Sequence, residues 1–241
     1  ITCAAVEIRD GLLLDATLTR VGYDHEASAE VILQHWANAL NDTCSKINES
    51  QLLGIGFAIP GPFDYRNGVS RMQHKFKHLF GWHIPTALNP LLHTTRDLPM
   101  RFLNDASAFA VGEAWQGEGR GFPHVVVITL GTGFGSAFIE AGVPVVSGPR
   151  VPKEGCLWHL PFKEGIADDF FSTRWFLGEY QRRTGKSLAG VKELMAVEHA
   201  DAVAHQLFLE FGANLAACLT EPLRQFRADV LIIGGNIAHA L

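Results

Sequence analysis

The chain has 241 residues, 47% hydrophobic and 19% charged, with 24 Gly and 11 Pro, the profile of an ordinary globular protein. A formal net charge of −5 argues against a nucleic-acid surface, which needs a basic patch. No apolar run of about 18 residues suggests a membrane span, no secretory leader is visible, and four scattered cysteines without a C-x-x-C pair suggest neither a zinc knuckle nor a disulfide framework.

Residues 1–20 spell a hairpin, with "TCAAVEI" and "LLLDATLT" joined at Asp10-Gly11, a tight-turn dipeptide. "EASAEVILQHWANALNDTC" has a helical period, at Val31, Ile32, His35-Trp36 and Ala39-Leu40. "LLGIGFAIPG" is a short buried strand stopped by Pro60-Gly61-Pro62. "MRFLNDASAFAVGEAWQG" is a strand ending at Leu103 and then a helix capped by Asn104 or Asp105, with Ala108, Val111 and Ala114-Trp115 as its apolar stripe. "VVVITLGTGFGSAF" is a strand, a glycine turn and a second strand. "IADDFFSTRWFLGEYQRRTG" predicts one helix ended by Gly185, and "ADAVAHQLFLEFGANLAACLTEPLRQF" a longer one that leads into the strand "ADVLIIGG". Strands alternating with helices predict an α/β fold. The first residues read as mid-strand and the last as the start of a helix, so both ends are expected to lie inside a larger pattern.

"TCAAVEIRDGLLL" and "GSAFIEAGVPVV" share a layout of small residues, apolar run, acidic residue, turn and apolar run. If one unit is duplicated, the first copy should also have a glycine-rich turn ahead of its hairpin, upstream of Ile1.

The glycines of Gly131-Thr132-Gly133-Phe134-Gly135 fit neither a Walker A loop nor a dinucleotide fingerprint. The segment after them is strand-like and no Lys-Ser/Thr pair follows. A bare hairpin tip can aim successive N–H groups at an anion, with the Thr132 hydroxyl as a further donor; a glycine turn that binds nothing is the alternative. Three other strand ends carry small or polar residues: Gly234-Gly235, Gly61 and Asn104-Asp105. For Asp105 the plain alternative is a helix cap.

In chain order, "GIGFAIPGPFDYRNGV", "FLNDASAFAVGEAW", "ITLGTGFGSAFIEAG", "EGCLWHLPF" with "IADDFFS", and "LIIGGNI" resemble the ROK family of repressors, open reading frames and sugar kinases. The resemblance implies a duplicated ribonuclease H-like fold of the actin-like ATPase superfamily, with two lobes and an interlobe cleft. The lobes are expected at 1–103, with the first phosphate loop upstream, and at 104–241, with the carboxyl-terminal end beyond. It implies an ATP-dependent kinase acting on a hydroxyl of glucose or an N-acetylhexosamine. Asp105 would be the catalytic base, while Gly61, Asn104, Glu154, His159 and Asp168 would contact sugar. Gly131, Thr132, Gly133 and Gly135 would hold phosphate, Gly234 and Gly235 would lie by adenosine, and Mg²⁺ would accompany ATP. Apart from the resemblance, "HKFKHLFGWH" mixes basic and aromatic residues but is too short for a nucleic-acid groove and reads as a solvated loop, with Gln73 or His74 near the sugar if it lines a pocket. The implied setting is cytoplasmic, with small-molecule partners, no nucleic acid or membrane, and assembly as a homodimer or homotetramer. The chain departs from the family at the zinc cysteines, which are absent, so no protein-bound metal is expected. Cys156 stands where a sugar-binding Glu is expected, and a thiol replaces a carboxylate poorly as an acceptor. The alternatives are a sugar-sensing ROK repressor and a degenerate sugar binder without catalysis.

Overall fold

A computed structural model describes residues 1–73 and 75–240. Its internal contacts divide the chain between Asp105 and Ala106, where the sequence expectation was 103/104.

In the first unit, β1 (Thr2–Glu7) and β2 (Leu12–Arg20) form an antiparallel hairpin. Gly11 takes a φ of 66° at its turn, a region open to glycine at little steric cost. Ser28 caps α1 (Ala29–Cys44), its hydroxyl accepting the Val31 N–H. The stripe buried by α1 runs through Ile32, Leu33, Trp36, Ala37 and Leu40, whereas Val31 points to solvent. The strand β3 (Ile55–Ile59) is followed by a small hairpin, β4 (Phe63–Asp64) with β5 (Val69–Ser70), and by a short helix, α2 (Ile84–Leu88). Then β6 (Met100–Asn104) pairs with β3 in parallel, Ile59 opposite Asn104. Trp36, Phe63, Met72, Leu79 and Phe102 form the centre of this unit's core.

The second unit opens with α3 (Asp105–Gln116), whose first residue belongs to the unit before it. Its sheet has the order β12-β7-β8-β9: β7 (His124–Leu130), β8 (Phe134–Glu140) and β9 (Val143–Pro144) run antiparallel, and β12 (Val230–Gly234) joins β7 in parallel. Val125 to Ile128 are fully buried because both faces of β7 are covered. Val125 and Val127 pack with Ala110, while Val126 and Ile128 join the larger core. An unbroken apolar run is what such a strand needs. Of the expected stripe of α3, Val111 and Ala114 pack beside the buried Ala110, while Trp115 is exposed.

Between sheet strands the chain forms β10 (Pro161–Phe162), β11 (Gly165–Ile166), α4 (Ala167–Phe170), α5 (Thr173–Thr184), α6 (Val191–Val197) and α7 (Ala202–Phe226). The one helix expected over 166–184 is thus two, broken at Phe171-Ser172, and Gly185 ends α5 in the left-handed region as its position requires. Contrary to the sequence reading, α7 is long and apolar enough to cross a membrane by length and composition. Its buried residues, Leu207, Phe211, Leu215, Cys218 and Leu219 among them, recur every three to four positions, the stripe of a core helix.

Candidate active site

The turn at Gly131–Gly133 is held from behind. The N–H and hydroxyl of Thr173, at the start of α5, donate to the Gly131 carbonyl at 2.8 and 3.0 Å. Arg174 Nη1 donates to the Thr132 carbonyl at 2.8 Å. Asp168 Oδ1 accepts the Phe134 N–H at 2.6 Å, and Asp168 Oδ2 accepts Arg174 Nη2 at 2.6 Å. Its carbonyls are tied back, and among the described residues the N–H groups of Thr132 and Gly133 have no protein acceptor. Successive unpaired amides at a bare turn form a concavity for an anion.

Two close approaches explain the glycines. A Cβ at Gly135 would lie 2.3 Å from Thr129 Oγ1 and 3.2 Å from the Ala106 methyl. A Cβ at Gly235, whose φ is 92°, would lie 2.3 Å from the Leu130 carbonyl oxygen. Gly234 pairs with Thr129 across the parallel ladder, and Ile237 donates its N–H to Leu130 at 3.0 Å. The Gly234-Gly235 step therefore wraps the end of β7, at the same sheet edge as the Gly131–Gly135 turn. The structure brings together these two segments that the sequence singled out separately.

In the first unit, β3 and β6 end side by side, which places Gly61 and Asn104 at one edge. Tyr65 links them. Its hydroxyl donates to the Ile59 carbonyl at 3.1 Å and accepts the Asn104 side-chain amide at 3.3 Å. A Cβ at Gly61 would meet that same hydroxyl at 3.4 Å. Sequence reasoning passed over Tyr65, for an aromatic residue beside a turn reads as packing. Asp105 follows as the exposed first residue of α3, where the helix dipole favours a carboxylate.

The remaining expected residues fall in a loop over 153–160. Glu154 is exposed with φ 60°, and its carbonyl accepts the Cys156 thiol at 3.4 Å. His159 Nε2 lies 3.1 Å from the Lys153 carbonyl, and its ring sits edge-on to Trp158. The loop is anchored by the Leu157 N–H on Ser136 Oγ at 2.8 Å and by the Asp168 N–H on the Trp158 carbonyl at 3.0 Å. Asp168, expected to hold sugar, has both oxygens engaged by Phe134 and Arg174. Arg174, on a stretch read as plain helix, was not singled out at all. Gln73 is exposed and His74 lies outside the described residues. Among the described residues no three His, Cys, Asp or Glu side chains are grouped to hold a metal ion.

The chain is 27% identical over 227 residues to the N-acetyl-D-glucosamine kinase of Salmonella gallinarum, a match spanning 83% of this chain and 72% of that one. Among solved structures, a ROK family glucokinase from Streptomyces griseus in complex with glucose and AMPPNP superposes with a TM-score of 0.74 at 19% identity, covering 99% of this chain and 80% of that one. A ROK family transcriptional regulator, a homologue of the Escherichia coli MLC protein, superposes with a TM-score of 0.75 at 18% identity, covering 99% of this chain and 63% of that one. At these identities the two structures establish a shared fold. The family model described as ROK family matches residues 13–240, nearly the whole chain, and the chain belongs to that family.

Proposed function

We propose that this ROK protein is a sugar kinase that transfers the γ-phosphoryl group of ATP to a hydroxyl of glucose or an N-acetylhexosamine. The observation that carries the reading is the Gly131–Gly135 turn, anchored by Thr173, Arg174 and Asp168, whose Thr132 and Gly133 amides have no protein acceptor among the described residues. Phosphoryl transfer asks for positioning and charge stabilisation more than for covalent help. A nucleotide with Mg²⁺ would supply the activated phosphoryl group and neutralise its charge. The turn would hold its phosphates through those amides, and Gly234-Gly235 would flank the adenosine.

Asp105 would take the proton from the attacking sugar hydroxyl. Its exposure leaves the carboxylate accessible to a substrate. Asn104, oriented by Tyr65, would hydrogen-bond a neighbouring hydroxyl, and Gly61 would let the ring pass close to the backbone. Glu154 and His159, on their common loop, complete the proposed sugar contacts, with Asp168 acting through its backbone link to that loop. The named relative supports the N-acetylhexosamine end of the range and the solved glucokinase the glucose end. A cytoplasmic setting and assembly into dimers or tetramers accompany this reading.

A sugar-sensing regulator is the second reading, favoured by the equally good superposition of the transcriptional regulator. ADP release with ATP and Mg²⁺ across hexoses and N-acetylhexosamines separates the two. A kinase gives sugar-dependent turnover that falls about 10²- to 10⁴-fold in Asp105→Ala, the usual worth of a general base. A sugar that raises the melting temperature without supporting turnover would instead favour the regulator.

A further inference from the structure

Leu160 donates its N–H to the Leu157 carbonyl at 3.0 Å, so residues 157–160 form a β-turn with Trp158 and His159 as its central pair. Such positions favour Gly, Pro, Asn, Asp or Ser, which supply backbone freedom or local hydrogen bonds. Trp158 supplies neither, and it leaves 46% of its surface exposed. One exposed apolar residue needs no explanation by itself. What sets Trp158 apart is how firmly its turn is held, and where.

Leu157 is fully buried and donates its N–H to Ser136 Oγ at 2.8 Å, which pins the turn to β8. The Trp158 carbonyl accepts the Asp168 N–H at 3.0 Å, and Asp168 Oδ1 accepts the Phe134 N–H at 2.6 Å. Two hydrogen bonds through one residue thus tie Trp158 to the end of the Gly131–Gly133 turn. The indole and the His159 imidazole stand nearly perpendicular, 5.3 Å apart between centroids, and His159 Nε2 lies 3.1 Å from the Lys153 carbonyl. A broad aromatic surface is therefore fixed beside the turn that would hold phosphate.

The neighbouring imidazole adds a polar group to that surface. A carbonyl oxygen only accepts, so His159 Nε2 carries a proton, and in the neutral ring Nδ1 is then an acceptor. Nδ1 has no partner among the described residues. The pair thus offers an apolar face next to one acceptor. In a trans secondary amide the N–H and the acyl methyl lie on the same side of the C–N bond, so an acetamido group presents a donor and an apolar group together. A sugar hydroxyl can donate to Nδ1 but leaves the indole uncovered.

We propose that Trp158 and His159 recognise the acetamido group of an N-acetylhexosamine, its methyl against the indole and its N–H on His159 Nδ1. The substrate class is then the N-acetylhexosamines rather than glucose. The inference rests on the kinase reading only for placing a sugar at this loop.

Calorimetric binding of N-acetylglucosamine and of glucose to the full chain, without ATP, tests recognition apart from catalysis. KM values from ADP release repeat the comparison during turnover. The parent should bind N-acetylglucosamine at least 10-fold more tightly than glucose. Trp158→Ala should lose most of that ratio without a change in melting temperature, whereas Trp158→Phe, which keeps an aromatic face, should retain most of it. N-formylglucosamine has the N–H but no methyl. It should bind the parent about four-fold more weakly than N-acetylglucosamine, the worth of one buried methyl, and the two should bind Trp158→Ala alike. A parent that does not bind N-acetylglucosamine, or does not prefer it to glucose, would overturn the proposal. So would a Trp158→Ala variant that keeps the ratio, or a phenylalanine variant no better than alanine, which would make the effect a disturbance of the loop. Acetamido-dependent binding without turnover would end the kinase reading and leave this one standing; turnover with no such dependence would do the reverse.

Discussion

Asp168 bonds both of its carboxylate oxygens within its own unit, one to the Phe134 amide and one to Arg174, and Arg174 in turn holds the Thr132 carbonyl. The pair braces the turn from opposite sides of its tip. An exposed ion pair contributes little to global stability, so its effect belongs in the geometry of the turn. Arg174→Ala should leave the fold intact while raising the KM for ATP about 10-fold or more, since small misplacements of binding groups are costly to rate. The KM for sugar should change less. Arg174→Lys should not restore the nucleotide KM, because a single ammonium cannot serve two acceptors in the planar fork that a guanidinium provides. Steady-state kinetics with each substrate varied in turn checks this. A rise confined to the sugar KM would place Asp168 and Arg174 at the sugar instead.

At the scale of elements, α7 starts where Asp201 Oδ1 accepts the Val203 and Ala204 N–H groups at 2.9 and 3.2 Å and Oδ2 accepts the Tyr180 hydroxyl at 2.8 Å. Tyr180 first, then the helix amides, hold this carboxyl below its ordinary value of 3.8, while the same bond raises the tyrosine. A folded value below the unfolded one adds stability that is fully present above the ordinary aspartate range and lost as pH falls through the folded value. Asp201→Asn keeps an acceptor for the cap and removes the charge. Its melting temperature should therefore lie below that of the parent at neutral pH and approach it below about pH 3.8, as the parent loses the same charge. Thermal melts over an acid pH series measure this. Local signals of this kind were legible: Asp10-Gly11 marked its hairpin, apolar residues at helical spacing marked α1, and the glycine run its strand–turn–strand. The break at Phe171-Ser172 was not, because Phe170 and Phe171 continue a helical apolar pattern, while Ser172 is extended and the Thr173 that follows is tied to the Gly131 carbonyl, 42 positions away. Arg174 and Tyr65 were equally hidden. On a helix an arginine looks like solvated charge, and its partner Thr132 lies 42 positions away. The glycine segments and Asn104-Asp105 showed through because strand ends rarely carry such residues without a local reason. What holds them in place came from long-range bonds that no local window contains.

Across the whole molecule, burial is divided between cores that share no residue among those described. One is built on Ile32, Leu79 and Leu88 in the first unit; the largest in the second surrounds Phe176 and Phe211, stacked at 4.6 Å between ring centroids. Phe211 is fully buried on α7 and also touches Phe171 and Trp175, so three segments of the second unit meet on one ring. Replacing it with alanine removes the ring and leaves a cavity that aromatic neighbours, fixed by their own contacts, can fill only in part. Phe211→Ala should cost about 3–5 kcal/mol, a large share of the 5–15 kcal/mol typical of a domain. Because cooperative opening follows contiguous packing, amides of α5, α7 and β7 should lose protection by orders of magnitude. Those of α1, packed on the other core, should keep theirs. Native-state hydrogen exchange of the variant resolves the two sets. An equal loss in α1 would mean that the two cores open as one cooperative body despite sharing no side chain.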